Sequence, residues 1–130
     1  MYTKIFTTLP QEAKNIRIEV FMKEQGFENE FDDIDTISHH IVVFDEGKPI
    51  GTCRFFKENN HYTIGRVAVL KEYRNQHIGN LLLESAENEI KKLNGDLIVV
   101  HAQVRVSPFY EKQGYIQFGQ IDDDEGVPHM

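Results

Sequence analysis

The sequence predicts a mixed α/β (α+β) domain built on one sheet. Three observations carry this expectation. An apolar stripe at helical spacing runs from Ile78 to Leu93, several short β-branched runs precede it, and a continuous apolar run, Leu97 to Val100, follows it. The 130 residues suffice for one domain with one core, expected to span residues 1–130.

The elements follow in order. Thr8 is placed to cap a helix with Pro10 in its first turn, where a missing N–H costs little. Ala13, Ile16, Val20 and Phe21 recur at helical spacing, and Gly26 is a natural stop. The acidic stretch Glu28 to Asp35 has no clean period and reads as a loop. Ile41 to Phe44 and Ile50 to Lys57 read as strands of an antiparallel hairpin, joined by the turn chemistry of Asp45-Glu46-Gly47-Lys48-Pro49. After the turn Asn59-Asn60 comes a third strand, His61 to Val69, in which Gly65 suggests a bulge or a close backbone approach. Ile78, Leu81, Leu82, Ala86, Ile90 and Leu93 form the clearest amphipathic helix, with Lys91 and Lys92 in its last turn and Asn94-Gly95 as its stop. Leu97 to Val100 has the pattern of a strand buried on both faces. Ser107 caps a short helix with Pro108 at its first position and Gly114 at its close, and Tyr115 to Phe118 is a last strand.

Composition narrows the function classes. Apolar residues make up 40% and charged residues 27%, the balance of a folded soluble protein. A net charge of -7 argues against a general nucleic-acid surface, although a local basic pocket stays open. One cysteine, Cys53, allows no internal disulfide, and its expected role is that of a small buried hydrophobe. No signal-peptide pattern opens the chain and no apolar run approaches the roughly 20 residues of a membrane span, so the expected location is the cytoplasm, without membrane contact. Six histidines and the acidic stretch lack the His-x-x-x-His, Cys-x-x-Cys or calcium-loop spacing of a metal site, and no metal is expected. Asp122-Asp123-Asp124-Glu125 reads as a solvated acidic turn.

The loop Arg74-Asn75-Gln76-His77-Ile78-Gly79 leads from a strand into the long helix. Such a helix N-terminus carries unpaired N–H groups and partial positive charge, which suits phosphate. Arg74 adds a planar cationic fork. Alone, this pattern also fits ordinary helix entry.

The surrounding residues add a resemblance. Arg66-Val67-Ala68-Val69, followed by Arg74 to Gly79 and Asn80-Leu81-Leu82, resembles the acyl-CoA-binding motif of the GNAT acetyltransferase superfamily, Gln/Arg-x-x-Gly-x-Gly/Ala after a Val-x-Val-type strand. Pro108-Phe109-Tyr110-Glu111-Lys112-Gln113-Gly114-Tyr115 looks like its second signature, Phe-Tyr-Glu-Lys-x-Gly-Phe. Glu19-Val20-Phe21, Glu24-Gln25-Gly26, the acids Asp32 to Asp35, His40 and Gly126-Val127-Pro128-His129 are similar to the small bacterial ElaA/YjcF-like branch. The resemblance covers nearly the whole chain. Members usually continue a little beyond Pro-His, so a last strand is expected to be cut short at Met130. One departure stands out. His77 occupies the position of the family's first glycine, where a side chain is costly if φ must be positive.

The resemblance implies a mostly antiparallel mixed sheet with helices on both faces and a splayed central strand pair. It implies acetyl-CoA as cosubstrate, held by Val67, Ala68, Val69, Arg74, Asn75, Gln76, His77, Ile78, Gly79, Asn80, Ser107 and Tyr110. Tyr110 takes the general-acid position, because a thiolate leaving group near pKa ~8.5 can be protonated by a tyrosine near ~10. A backbone N–H of the Val67 to Val69 strand is the expected oxyanion donor. The general base stays open among Glu24, Glu30, Asp33, His40 and a water relay. His39 and His40 alternate faces, and the resemblance favours His40. Arg54 and Arg66 sit on strands that otherwise bury apolar residues, so each needs a partner. That partner is either a carboxylate of the acidic stretch or an anionic acceptor, such as an amino sugar phosphate. Asp33 and His129 complete the expected acceptor contacts. The implied partner is a small-molecule amine, with the protein a monomer or homodimer. The competing readings are an acyl-CoA-sensing module without turnover and a structural domain without cofactor.

Overall fold

The structure is a computed structural model. It describes residues 1–26, 31–95, 97–100, 107–112, 115, 122–124 and 127–129. Side chains are described up to residue 100 and again at Phe109, Tyr110, Lys112 and Tyr115. The elements are β1 (Tyr2–Phe6), α1 (Gln11–Arg17), a π-helical continuation (Ile18–Glu24), a 3-10 turn (Asp33–Thr36), β2 (His39–Asp45), β3 (Lys48–Glu58) and β4 (His61–Val69). After them come a second 3-10 turn (Lys71–Tyr73), α2 (Ile78–Lys92), β5 (Ile98–Val100), α3 (Ser107–Lys112), β6 (Asp122–Asp124) and β7 (Val127–His129). Five strands form one open sheet in the order β1-β2-β3-β4-β5. All its pairs are antiparallel except β4–β5.

Strand alternation divides the core between two faces. Ile41, Val43, Cys53, Phe55 and Ile64 pack with Ile78, Leu82, Leu83, Ala86 and Ile90 of α2 and with Tyr110 of α3. Val42, Phe44 and Ala68 pack with Ala13, Ile16, Val20 and Phe21 from α1 and its continuation. Helices therefore cover both faces, as the resemblance implied. Gly51 sets the approach of α2: a Cβ there would lie 2.9 Å from Ile78 Cγ2.

Several expectations are sharpened or corrected. The β2–β3 turn is the two-residue pair Glu46-Gly47, at φ 50° and 82°, and Lys48 and Pro49 already belong to β3. Left-handed turn residues match the twist of the flanking strands, which favours so short a connection. Thr8 does not cap α1. Pro10 takes the cap position in extended backbone, its carbonyl accepts from the Lys14 N–H at 3.1 Å, and α1 starts at Gln11. Gly26 does end the helical run, at φ 82°, its N–H donating to the Met22 carbonyl at 3.2 Å. On α2 the buried row is Ile78, Leu82, Leu83, Ala86 and Ile90, so Leu83 replaces Leu93, which is exposed. Asn94 (φ 64°) and Gly95 close α2, the Gly95 N–H reaching the Ile90 carbonyl at 2.9 Å. β5 is only half-buried, and Leu97 is exposed, against the expectation of burial on both faces. Residues 122–124 are a strand paired with β7 rather than a turn. Of the strand expected at Tyr115 to Phe118, all but Tyr115 lies outside the described residues, as does Gly114.

The central pair carries the functional geometry. Among the described residues, β4 pairs in parallel with β5 from Tyr62↔Ile98 to Ile64↔Val100, and β4 itself runs on to Val69. On its other edge, Arg54 pairs with Gly65 and Thr52 with Ala68, so Cys53 faces two residues, Arg66 and Val67. This is the bulge expected near Gly65, but its left-handed residue is Arg66, at φ 51°.

Candidate active site

Beyond Val69 the chain makes the Lys71–Tyr73 turn and enters α2 through Arg74 to His77. Asn75 and His77 both adopt left-handed backbone, at φ 66° and 62°. Turns of this kind bring successive N–H groups to one side, the geometry of an anion cradle. His77 is the N-cap of α2, and its side chain makes no capping hydrogen bond. The first-turn N–H groups therefore keep their capacity to bind an anion. A pyrophosphate fits this donor set: an uncapped helix start, a left-handed approach and an adjacent arginine.

A cleft of about 440 Å³ opens at this point, lined by Val69, Tyr73, Arg74, Asn75, His77, Ile78, Gly79, Asn80, Phe109 and Lys112. Most of the residues expected to hold the cofactor thus meet in one place. Gly79 keeps the cleft open toward α3, since a Cβ there would lie 3.1 Å from Phe109 Cζ. Asn80 Nδ2 lies 3.5 Å from His77 Nδ1. Gln76 is outside the lining, its Nε2 donating to the Glu72 carbonyl at 3.5 Å. Ala68 is buried toward α1. Ser107 begins α3, and its side chain lies outside the described residues.

Arg74 is already engaged. Its Nε donates to the Val69 carbonyl at 3.0 Å, and its two terminal nitrogens donate to the Glu24 carboxylate at 2.6 and 2.7 Å. Glu24, a candidate base by pattern, is therefore Arg74's counterion at the end of the π-helical segment.

Arg54 and Arg66 find carboxylates from the acidic stretch. Arg54 Nη1 donates to Asp32 at 2.7 Å and Asp35 at 2.9 Å, while Arg66 Nη2 donates to Asp32 at 3.4 Å. Arg17, buried in the apolar row of α1, donates to Asp35 at 2.7 and 3.2 Å. Of the two partners open from sequence, the structure supplies the carboxylate. Asp33, expected at the acceptor, is exposed, and its carbonyl accepts from the Thr36 hydroxyl at 2.7 Å. The reason is the capping box: Asp32 stands at the N-cap in extended backbone and Asp35 at the third turn position, so the two face each other, while Asp33 opens the turn on the exposed side. Asp35 and Arg17 were missed in the sequence. The signals were present in the Asp32-x-x-Asp35 capping-box spacing and in an arginine four residues after Ala13 on a buried stripe.

Electrostatics follows the contacts. Burial pushes the Asp35 carboxyl up, but the hydrogen bonds and charge of Arg17, with the Asp32 N–H and Arg54, outweigh it and hold it at about 2. Asp32 is likewise raised by burial yet lowered overall by Arg54 and Arg66. His40 is 1% exposed, and its Nε2 lies 3.0 Å from the Asp35 carbonyl. A carbonyl only accepts, so Nε2 carries the proton. Burial holds the His40 pKa below its ordinary value despite that bond, and the ring is not among the residues lining the cleft. Cys53 behaves as expected, its thiol 1% exposed and pushed up to about 12 by burial. Tyr110 is buried, packed edge-on to Phe109 and Tyr115, and lies beside Phe109 rather than in the cleft lining, which also lacks Val67; burial raises the Tyr110 pKa far above the ordinary tyrosine range. Glu30 lies outside the described residues, as does the side chain of His129 on β7.

A strand that feeds an uncapped helix N-terminus beside a cleft fits the acyl-CoA-binding arrangement that the resemblance implied. The family follows from the sequence: a model described as Acetyltransferase (GNAT) domain matches residues 7–130. The uncharacterized N-acetyltransferase YjcF of Bacillus subtilis (strain 168) is 32% identical over 123 residues, covering 92% of this chain and 88% of the relative. The crystal structure of Escherichia coli ElaA superposes with a TM-score of 0.87 at 21% identity, covering 99% of this chain and 96% of that one. An acyl-CoA N-acyltransferase from Pseudomonas aeruginosa superposes with a TM-score of 0.86 at 21% identity, covering 98% and 95%. The chain belongs to the GNAT acetyltransferase family and fits its ElaA/YjcF-like branch. It is an acyltransferase that draws on an acyl-CoA. Among the described residues, no helix is long and apolar enough to cross a membrane.

Proposed function

We propose that the protein transfers an acetyl group from acetyl-CoA to a primary amine of a small molecule by direct attack, with Tyr110 as general acid. The observation that carries this reading is the continuity of three features along one path: the bulged β4 edge, the left-handed loop at Asn75 and His77, and the uncapped start of α2. The loop and helix N–H groups would hold the pyrophosphate, and the β4 edge would pair with the pantetheine arm. A β4 N–H would donate to the thioester carbonyl oxygen as charge develops there. The amine nitrogen bonds to the carbonyl carbon as the carbon–sulfur bond breaks. The phenol of Tyr110, kept protonated by burial, supplies the proton for the departing sulfur.

The geometry favours water as the base. His40 is buried with its Nε2 proton committed to the Asp35 carbonyl. Glu24 is held by Arg74, whose Nε is fixed to the Val69 carbonyl. That end of β4 is three residues, or about 10 Å at strand rise, from the bulge. The ammonium proton therefore leaves to solvent. An amino sugar phosphate is one acceptor of this class. Its phosphate would have to compete with Asp32 for Arg54 and Arg66, so amines without a phosphate are the first choice.

The test is release of CoA thiol from acetyl-CoA across a panel of amines, with wild type and Tyr110→Phe. Acceptor-dependent release that falls in Tyr110→Phe supports the reading, and unchanged turnover in that variant removes Tyr110 from the mechanism. Tight acetyl-CoA binding without acceptor-dependent release would instead support the sensing module.

A further inference from the structure

The β4 bulge carries a conformation that its sequence does not favour. Arg66 sits at φ 51°, while Gly65 beside it does not use positive φ. A bulky residue in left-handed backbone persists only where its surroundings over-determine it. Asp32 is one group that reaches it, from outside the sheet. Its carboxylate receives Arg54 Nη1 at 2.7 Å and Nη2 at 3.3 Å, and Arg66 Nη2 at 3.4 Å. Arg54 is the β3 residue paired with Gly65 at the edge of the bulge, and Arg66 is the left-handed residue itself. One carboxylate therefore ties together the two strands where their ladder is interrupted.

Asp32 is in turn anchored. Its own N–H donates to Asp35 Oδ2 at 3.2 Å, and Asp35 is held by Arg17 of α1 and by Arg54. The division of labour is visible in exposure: the Asp35 side chain is 6% exposed, the Asp32 side chain 35%. Asp35 is the buried brace. Asp32 is the half-open arm that reaches the bulge.

We infer that Asp32 is a positioning residue for acyl transfer, acting through Arg54 and Arg66 to fix the backbone N–H groups of the Arg66–Val67 step. This rests on the proposed acetyl transfer, in which the β4 edge holds the thioester carbonyl. Without the clamp the step at φ 51° would be held less firmly, and a donor misplaced by a fraction of an ångström loses its hold on the developing oxyanion. Cofactor binding at the Arg74 to Asn80 loop would be little changed.

The experiment compares wild type, Asp32→Asn, and Asp32→Asn combined with Arg66→Gly, since glycine adopts left-handed backbone without the clamp. In Asp32→Asn, kcat is expected to fall by roughly 10- to 100-fold, with the acetyl-CoA KM and the melting temperature nearly unchanged. The double variant is expected to regain part of the lost kcat. A second measurement does not depend on turnover: backbone amide NMR shifts of residues 66–68 on titration with the non-transferring analogue S-acetonyl-CoA. If these amides shift in wild type and not in Asp32→Asn, the inference stands. If they shift alike in both proteins, or kcat is unaltered in Asp32→Asn, Asp32 has no positioning role. If kcat and melting temperature fall together without rescue by glycine, its role is structural and the inference is overturned. If they do not shift even in wild type, the thioester reading of β4 fails, and the positioning role falls with it.

Discussion

His77→Gly tests whether the loop uses the backbone of His77 or its ring. His77 sits at φ 62° and ψ 23°, which costs an L-residue about 1–2 kcal/mol relative to right-handed backbone. Glycine removes that cost but adds freedom to the unfolded chain, which returns about 0.4–1 kcal/mol. The imidazole itself approaches Asn80 at 3.5 Å on an exposed surface, the outer limit of a hydrogen bond, so its removal costs little. The net expectation is a gain of about 0.5–1 kcal/mol. At ~2 cal/mol/K of unfolding entropy per residue, a 130-residue chain should then melt about 2–4 °C higher. The N–H of residue 77 survives the change, so CoA affinity should be held or improved. Differential scanning calorimetry and a CoA titration read both quantities. A lower melting temperature together with weaker CoA binding would refute the reasoning, and would mean that the imidazole itself contacts the cofactor.

Other predictions concern the ion pairs and the buried thiol. Glu24→Gln should free the Arg74 fork for the pyrophosphate. An exposed pair is worth up to ~1 kcal/mol, so CoA should bind up to about five-fold tighter at low salt, a gain that shrinks at high salt. Calorimetric titration at two salt concentrations measures it, and weaker binding would show that Glu24 instead orients Arg74. Asp35→Asn leaves Arg17 and Arg54 without their shared carboxylate and should cost about 3–5 kcal/mol in urea unfolding. A destabilisation below ~1 kcal/mol would contradict the buried-brace assignment. Acid should destabilise the fold in two stages. His40 has a folded pKa below its unfolded ~6.5, so the unfolded state binds the proton first and stability starts to fall near that pH. Asp35, depressed from 3.8 to about 2, contributes stability that is fully present above 3.8 and is lost as pH falls toward 2. Thermal melts from neutral to acid pH follow both stages, and a flat profile between pH ~7 and ~5 would remove the His40 contribution. Cys53, with its thiol raised to about 12, should resist a disulfide reagent in the native protein and react once urea unfolds it.

Short-range chemistry was legible in the sequence. The repeat of Ile78, Leu82, Ala86 and Ile90 announces α2, Asn94-Gly95 its end, and the stretch Asp45 to Pro49 a hairpin turn, because each depends on residues a few positions apart. The Arg74 to Gly79 loop could be recognised for the same reason: its cradle is built from consecutive N–H groups. The ionic network could not be read in this way. Arg54 meets Asp32 across 22 positions and Arg74 meets Glu24 across 50, and the sequence offered several acids of equal charge for each. Sheet register and the capping box at the 3-10 turn chose among them, bringing Asp32 and Asp35 to the arginines and leaving Asp33 outside. The same register gives one residue of β3 two partners on β4, and so puts the left-handed step on Arg66 although a glycine stands next to it. By itself the sequence announced the first helix, the strands β2 to β4 and α2, and the loop where a phosphate is expected, but not β1, the Asp33–Thr36 turn or β6. Which charges pair, that His40 is sealed beneath Asp35, and how the β4 edge is braced were decided by the tertiary structure, because only packing sets the desolvation and the distance on which those interactions depend.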